Sequence, residues 1–177
     1  MSHQQIVFSV LAEDRPGVVS SLAEVVKSHG GNWLESNFSK LRGHFAGIVH
    51  IELDSKNLEA LKEQLILLDS QGIHILLNKQ SLPSDSLSRN VGTTSAPIKI
   101  EVEANDREGI VEEITSLLAK NDVNVESFET CCESAAMAGY AIFKALLVVN
   151  LPPTLNVEQL ETRLESLSDD LMVAVKQ

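Results

Sequence analysis

Residues 6–19 read IVFSVLAEDRPGVV, and residues 98–111 read IKIEVEANDREGIV. Each stretch starts with an apolar run typical of a β-strand and continues, through an Asp-Arg pair and a glycine, into an apolar pattern typical of a helix. The offset of 92 residues recurs at three pairs of positions: Asp14 and Asp106, Leu22 and Ile114, and Asn32 and Asn124. The chain is therefore an internal repeat.

Each copy predicts the element order βαββαβ. In the first copy the strands are expected at 6–11, 32–38, 45–53 and 73–77, and the helices from Val18 onward and at 58–68. In the second copy the strands are expected at 98–102, 123–130, 140–149 and 171–175, and the helices at 108–120 and 157–167. Asn156 and Gln159 have the spacing of a capping box at the start of the last helix.

The apolar runs around Ile48 and Ile142 are expected to correspond. This order predicts an α+β fold with two ferredoxin-like units in tandem, each with four antiparallel strands and two helices on one face.

Between the copies the chain is rich in Ser, Thr, Pro and Gly and lacks apolar periodicity. We expect a first domain at 1–81, a solvated linker at 82–97 and a second domain at 98–177. Residues 1–81 hold 9 acidic and 7 basic residues, whereas residues 82–177 hold 16 and 7. The acidic second half serves either solubility or a basic partner, and the sequence leaves both open.

Overall charge and hydropathy exclude several classes of protein. The formal net charge is −11 and no run of Lys or Arg is present, which argues against direct nucleic-acid binding. The apolar runs are far shorter than a membrane span and no export signal is seen, so we expect no membrane contact and a cytoplasmic location. Cys131 and Cys132 are adjacent and match no spaced metal motif, which predicts reduced structural thiols. We expect no metal, no cofactor and no catalytic residues.

The segment from Asp14 to Val18 lies where a strand meets a helix. Asp14 is predicted as the N-cap, Pro16 fits the first helical turn, and Gly17 allows close approach of a backbone or ligand. These residues describe either a well-made helix start or a site where a ligand carboxylate meets free N–H groups. Glu108 replaces Pro16 in the second copy and would repel an anion, so the first loop is the better candidate.

An Asn opens the second strand of both copies. Asn32 and Asn124 each carry an amide that can donate to a carboxylate and accept from an amine, which suits a zwitterion. A role in the preceding turn explains the same residues equally well. Their recurrence favours neither role, because a duplication would copy both.

The repeated Asp-Arg-x-Gly-[Ile/Val]-Val junction and the later Asn resemble the pattern of the ACT domain family, and the match covers nearly the whole chain. The resemblance implies that a small amino acid binds in a cleft between modules. The residues expected to contact it are Asp14, Arg15, Pro16, Gly17, Val18 and Asn32 in the first copy and Asp106, Arg107, Gly109, Ile110 and Asn124 in the second. An acid stands at Asp14 and Asp106 where the serine-sensing pattern has Asn, which favours an ammonium group there.

For a short two-copy chain, the same resemblance implies a regulatory protein and not an enzyme. It implies repression of glycine cleavage genes through contact with a DNA-bound transcriptional activator and not with DNA, with glycine as the favoured effector. The alternative is an effector-binding module that regulates a metabolic enzyme in trans. A third hypothesis, an enzyme acting through Cys132 or Glu103, is disfavoured because no catalytic set accompanies them. The sequence is compatible with a homo-oligomer and with a monomer.

Overall fold

The computed structural model describes residues 3–77, 96–134 and 141–176. The chain divides into two compact units, Met1–Arg89 and Asn90–Gln177. The expected boundaries at 1–81, 82–97 and 98–177 stay a prediction, because residues 82–95 lie outside the described part of the chain.

The first unit contains one antiparallel sheet and two helices. Its elements are β1 (His3–Glu13), α1 (Val18–Ser28), β2 (Asn32–Leu41), β3 (His44–Asp54), α2 (Leu58–Leu67) and β4 (Ile73–Leu77). Short 3-10 turns precede and follow α2. The strands are arranged in the order β2-β3-β1-β4.

The core of this unit follows from two periodicities. Alternate residues of β1, from Ile6 through Phe8 and Val10 to Ala12, are buried on one face of the sheet. Helix α1 buries one residue per turn against that face, and Leu22 at its centre is fully buried. Ile48 points to the opposite face of the sheet and is half exposed.

The second unit repeats the arrangement. Its elements are β5 (Ile98–Asn105), α3 (Ile110–Lys120), β6 (Asn124–Ser134), β7 (Ala141–Asn150), α4 (Val157–Glu165) and β8 (Met172–Lys176), with the strand order β6-β7-β5-β8. Ile114 is fully buried at the centre of α3, as Leu22 is in α1. The predicted α+β fold with a βαββαβ order is confirmed in both units. Tyr140, the expected start of the third strand, lies outside the described residues.

The predicted N-cap of the first helix is wrong, whereas the helix does begin at Val18 as expected. Gly17, and not Asp14, is the N-cap of α1, and it has a φ of 98° in the left-handed region. Pro16 therefore precedes the helix and is not in its first turn. The same geometry at Gly109, where φ is 88°, delays the start of α3 to Ile110. A residue with a side chain adopts this backbone conformation at a cost, so each loop keeps a glycine there.

The capping box at the start of α4 is confirmed. The Asn156 side chain accepts a hydrogen bond from the Gln159 backbone N–H at 2.8 Å, and the Gln159 side chain accepts one from the Asn156 N–H at 3.1 Å. Both contacts join residues three apart, which is why the sequence alone reveals them.

The apolar runs around Ile48 and Ile142 lie in β3 and β7, which correspond as expected, although the two isoleucines are four positions out of register. Val49 pairs with Phe8, and Leu147 pairs with Ile100, which is the counterpart of Phe8. The offset between copies therefore rises from 92 residues at β1 and β5 to 98 at β3 and β7. Ile48 corresponds to Leu146 because the β6–β7 hairpin is six residues longer than the β2–β3 hairpin.

None of the helices in the described residues combines the length and the apolar character that crossing a membrane requires.

Candidate functional site

The loop between β1 and α1 is held against the tip of the β2–β3 hairpin. The Asp14 backbone N–H donates to the Gly43 carbonyl at 2.9 Å, which fixes the point where the chain leaves β1. Gly17 then turns the chain into α1 and offers no side chain to the N–H groups of the first turn. Those N–H groups carry the partial positive charge of the helix start.

Three charged side chains surround this loop. The Asp14 carboxylate forms an ion pair with the Lys40 ammonium, which comes from the end of β2. The Arg15 guanidinium donates to the Gln71 carbonyl at 2.6 Å and so reaches the turn before β4. The loop thus presents an acid and two bases within one exposed region, which is the charge pattern that a zwitterion requires.

A cavity of about 290 Å³ opens beside the loop. Its lining is formed by Asp14, Arg15, Gly17, Val18, Val19, Ser20 and Phe45. The Ser20 hydroxyl donates to the Gly17 carbonyl at 2.9 Å. The lining thus combines charged groups with an aromatic ring and two valines.

An aromatic row leads away from this cavity along the helix-covered face of the sheet. The rings of Phe45 and Phe38 stack with their centroids 5.0 Å apart, and the centroids of Phe38 and Trp33 are 6.5 Å apart. Trp33 is partly buried and packs against the core. Phe45 lines the cavity, and all three rings pack against the core.

The loop between β5 and α3 keeps the backbone arrangement of the first loop. The Asp106 N–H donates to the Ala141 carbonyl at 2.8 Å, the counterpart of the contact between Asp14 and Gly43. Gly109 takes the place of Gly17 as the N-cap. The duplicated sequence therefore produces duplicated loop geometry.

The side chains of the second loop are arranged differently. Arg107 donates to both carboxylate oxygens of Glu113, at 2.7 and 2.6 Å. These hydrogen bonds raise the pKa of Arg107 and lower the pKa of Glu113. The basic side chain of the second loop, Arg107, is therefore already paired with a carboxylate from α3.

A thiol replaces the lysine beside the second loop. Cys132 occupies on β6 the position that Lys40 occupies on β2, and Asp106 is its neighbour. Desolvation, and next the hydrogen bond with Asp106, raise the pKa of the Cys132 thiol. A neutral thiol brings no positive charge to Asp106, whereas Lys40 brings one to Asp14.

The structure places the two predicted Asn residues away from the loops of their own units. Asn32 begins β2, whereas Lys40 beside the Asp14 loop is near its end, about 25 Å away at roughly 3.3 Å per residue. Asn124 occupies the same place at the start of β6. Both side chains are exposed. A ligand held at a loop therefore does not reach the Asn of the same unit.

Sequence reasoning missed Lys40 and Phe45. They are cross-strand partners, so their side chains lie next to each other on one face of the sheet. The sequence does contain a signal for this pair, namely the Arg42-Gly43 turn, which sets the hairpin register that makes Lys40 and Phe45 partners. Without that register, Lys40 is one exposed lysine among others.

The cysteines are not packed in a core. Cys131 and Cys132 are both exposed on β6, the edge strand of its sheet, and both are free thiols. The expected structural role was wrong because nearly every residue of β6, both cysteines included, is exposed. Within the described residues, no group of three or more His, Cys, Asp or Glu side chains is placed to hold a metal ion.

Comparison with known families and structures identifies the first unit. Residues 4–75 match the family model of the ACT domain. The first unit is an ACT domain. With the same topology repeated in the second unit, the chain has the architecture of a tandem ACT-domain protein.

Two solved structures are similar to this ACT-domain chain over nearly its whole length. A protein of unknown function from Galdieria sulphuraria is 29% identical, with 99% of this chain and 98% of that chain covered and a TM-score of 0.76. A candidate glycine cleavage system transcriptional repressor is 19% identical, with 99% and 98% covered and a TM-score of 0.71. The second likeness shows the fold alone. The search of curated proteins gave no match.

Proposed function

We propose that this chain is a regulatory protein that responds to a small amino acid and acts through contacts with another protein. The observation that carries the proposal is the first ACT loop, where Asp14 and Lys40 place opposite charges beside an uncapped helix start. A free amino acid carries the complementary pair of charges. The cavity of about 290 Å³ next to these groups provides space for it.

The finer proposal is repression of glycine cleavage genes, with glycine as the effector and a DNA-bound transcriptional activator as the partner. The name of the solved structure that shares the full tandem arrangement supports it. The net charge of −11 supports contact with a protein in preference to DNA, because phosphate contacts require clustered Lys and Arg. The proposal assigns the chain no catalytic step.

Thermal unfolding with and without amino acids tests the sensor part of the proposal. A ligand at 100 times its Kd stabilises the folded state by about 2.7 kcal/mol, which raises Tm by roughly 5–10 °C at this chain length. Glycine is the first probe, followed by the other standard amino acids. Glycinamide and acetate are the controls, because each carries only one of the two charges. A Tm unchanged by every amino acid would contradict a sensor.

A second experiment tests the partner. We expect the purified chain to bind a purified activator of glycine cleavage genes in a pull-down, with an affinity that changes when glycine is added. Absence of binding in both conditions would remove the mechanism of repression. If a metabolic enzyme is the main protein that co-purifies with the chain from cell extract, regulation of an enzyme in trans is favoured.

A further inference from the structure

The second sheet carries charged side chains on its outer face, which points away from the core of the second unit. On β5, for example, Glu101 and Glu103 alternate with the buried residues Val102 and Ala104. A cavity of about 350 Å³ opens on this face. The outer-face side chains that line this acidic cavity are Glu101, Glu103, Glu129, Cys131, Lys144 and Leu146. Three carboxylates and one ammonium give it an excess of negative charge.

We infer that the acidic cavity receives an arginine from a basic segment of the partner protein. This inference rests on the proposed function, in which the chain acts through contacts with another protein. The composition of the second half is compatible with a role in solubility or with a basic partner. The acidic cavity assigns part of that charge to the partner.

Leu146 lies between two of the carboxylates. Its direct cross-strand partners are Glu129 on β6 and Glu101 on β5. Because neighbouring strands are about 4.8 Å apart, the backbones that carry the two acids are separated by about 10 Å. Leu146 between them is 37% exposed. An arginine can lay its aliphatic stem on this leucine while its guanidinium donates to a carboxylate beside it.

Lys144 does not neutralise the acids around it. Its ammonium lies 3.0 Å from a carboxylate oxygen of Glu133 and 3.6 Å from one of Glu103, so one positive charge serves two negative ones. The hydrogen bond with Glu133, followed by the charge of Glu103, raises the pKa of Lys144 above its ordinary value. A further cation on this face therefore meets carboxylates that are only partly compensated.

The two acids beside Leu146 are open to an incoming cation. The Glu101 carboxylate pairs with Lys176, whose side chain is 61% exposed, so water screens this pair and an arginine can compete for the carboxylate. Lys99 lies beside Lys176 and does not line the cavity. The Glu129 carboxylate has neither an ion pair nor a hydrogen bond with another residue in the described part of the chain.

The first unit shows that the fold does not require these charges. Its residues at the positions of the charged cavity side chains are all uncharged. By strand register, the counterparts of Glu101, Glu103, Glu129 and Lys144 are Ser9, Leu11, Asn37 and Ala46. Because the same sheet forms without these charges, packing does not explain the carboxylates of the second unit. Binding of a cationic group gives them a role.

An arginine fits the acidic cavity better than other candidates do. A metal ion is disfavoured because the described residues contain no group of three or more His, Cys, Asp or Glu side chains placed to hold one. Nucleic acid is disfavoured because its phosphates would face the carboxylates. A lysine offers a single point charge, whereas a guanidinium has five donors in a plane and can bind carboxylate oxygens in pairs.

A peptide titration followed by two-dimensional NMR spectra of the full chain tests the inference. The probe is the pentapeptide Ser-Arg-Leu-Arg-Ser, blocked at both ends. The control peptide carries citrulline, which is uncharged, in place of both arginines. We expect the probe to shift amide signals at residues 101–103, 129–131 and 144–146, and the citrulline peptide to leave them in place.

Two double variants make the test specific. Glu101→Gln combined with Glu129→Gln should weaken binding of the probe about fivefold or more, because two exposed charge contacts are lost. Glu158→Gln combined with Glu165→Gln removes the same number of charges from α4 and should leave binding unchanged. A Tm close to that of the unmodified chain in both double variants separates loss of charge from loss of fold.

The same chains are then tested with the purified activator of glycine cleavage genes. We expect the activator to bind the Glu101/Glu129 variant more weakly than the α4 variant. Signal shifts confined to other residues, equal binding of the citrulline peptide, or equal activator binding by the two double variants would overturn the inference while the proposed function stands. If the activator binds none of the chains, the proposed function loses its partner, and the peptide titration alone decides the inference.

Discussion

Arg107 and Glu113 are joined by two parallel hydrogen bonds across the first turn of α3, at 2.7 and 2.6 Å. The bonds favour the ionised carboxylate, so the pKa of Glu113 in the folded chain lies below its ordinary value of 4.5. The group thus contributes stability that is present above the unfolded pKa and is lost as the pH falls through the folded pKa.

The first prediction is a pH-dependent effect of Glu113→Gln. Above about pH 5.5 the variant should be less stable than the unmodified chain by a constant amount. Below about pH 4.5 the difference should shrink, because the unmodified chain then loses the ion pair that the variant already lacks. Urea unfolding followed by circular dichroism from pH 3 to pH 8 measures this difference.

The matched control is Glu112→Gln on the same helix, whose carboxylate accepts from the Ser116 hydroxyl at 2.8 Å and not from an arginine. Comparison of the two variants separates the contribution of the Arg107 partner from that of a first-turn carboxylate in general. If the curves of Glu113→Gln and the unmodified chain stay parallel down to pH 3, the pKa of Glu113 is not lowered by folding.

Local signals in the sequence predicted most of the fold. The order of strands and helices followed from apolar periodicity, and the repeat provided two independent copies of each element. The capping box at Asn156 was predictable because its partner Gln159 is three residues away. Boundaries were less well predicted, since Gly17 and not Asp14 caps α1, and Gly109 delays the start of α3 from the expected residue 108 to Ile110.

The candidate site depends on contacts that are distant in sequence. Asp14 was expected to cap α1, but its carboxylate pairs with Lys40, which reaches it only when the β2–β3 hairpin is in register. Arg15 likewise meets the carbonyl of Gln71, 56 residues away. Asn32 belongs to the same sequence pattern as the loop, yet the strand direction places it at the far end of the sheet. Sequence spacing gave none of these relations.

The second prediction concerns the cap of α4. Asn156→Ala should destabilise the second unit by about 1 kcal/mol, because it leaves a helix N–H without its acceptor. For a domain of this size that corresponds to a decrease in Tm of roughly 4–8 °C. Gln159→Ala keeps the Asn156 acceptor and should cost less. Calorimetric unfolding measures the stability of both variants. Equal losses of stability would show that the two hydrogen bonds of the capping box contribute equally.

The third prediction concerns a glycine that an aromatic ring covers. A Cβ at Gly47 would lie 2.2 Å from Cδ1 of Phe38 and 2.6 Å from the Asn37 carbonyl oxygen, so both the ring and the strand would have to move. We expect Gly47→Ala to destabilise the first unit by about 1–3 kcal/mol, as overpacking does. Denaturant unfolding measures the change.

The second unit supplies the control for this substitution. There Ala145 takes the place of Gly47, and its cross-strand partner is Thr130 and not a phenylalanine. Gly47→Ala should therefore cost less in a chain that already carries Phe38→Thr, with a coupling of about 0.5–3 kcal/mol. Additive effects in the double-mutant cycle would mean that the ring does not require the glycine.

The fourth prediction compares the two loop glycines. Gly17 and Gly109 have φ of 98° and 88°, and a Cβ at either would lie 3.8 Å from the nearest side-chain atom beyond the adjacent residues. Substitution by Ala therefore strains the backbone without a steric clash, and each variant should lose about 1–2 kcal/mol of stability. The two substitutions are thus matched in cost but act on different loops.

Their effects on ligand binding should differ. Gly17→Ala shifts the backbone that joins Asp14 to α1 and should weaken amino-acid binding at least tenfold, since it displaces the acid from its position opposite Lys40. Gly109→Ala should leave the affinity unchanged, because the proposed site lies at the first loop. Titration of both variants with the same amino acid measures the contrast. Equal loss of affinity in the two would mean that strain in either unit is sufficient, and that the first loop has no special role.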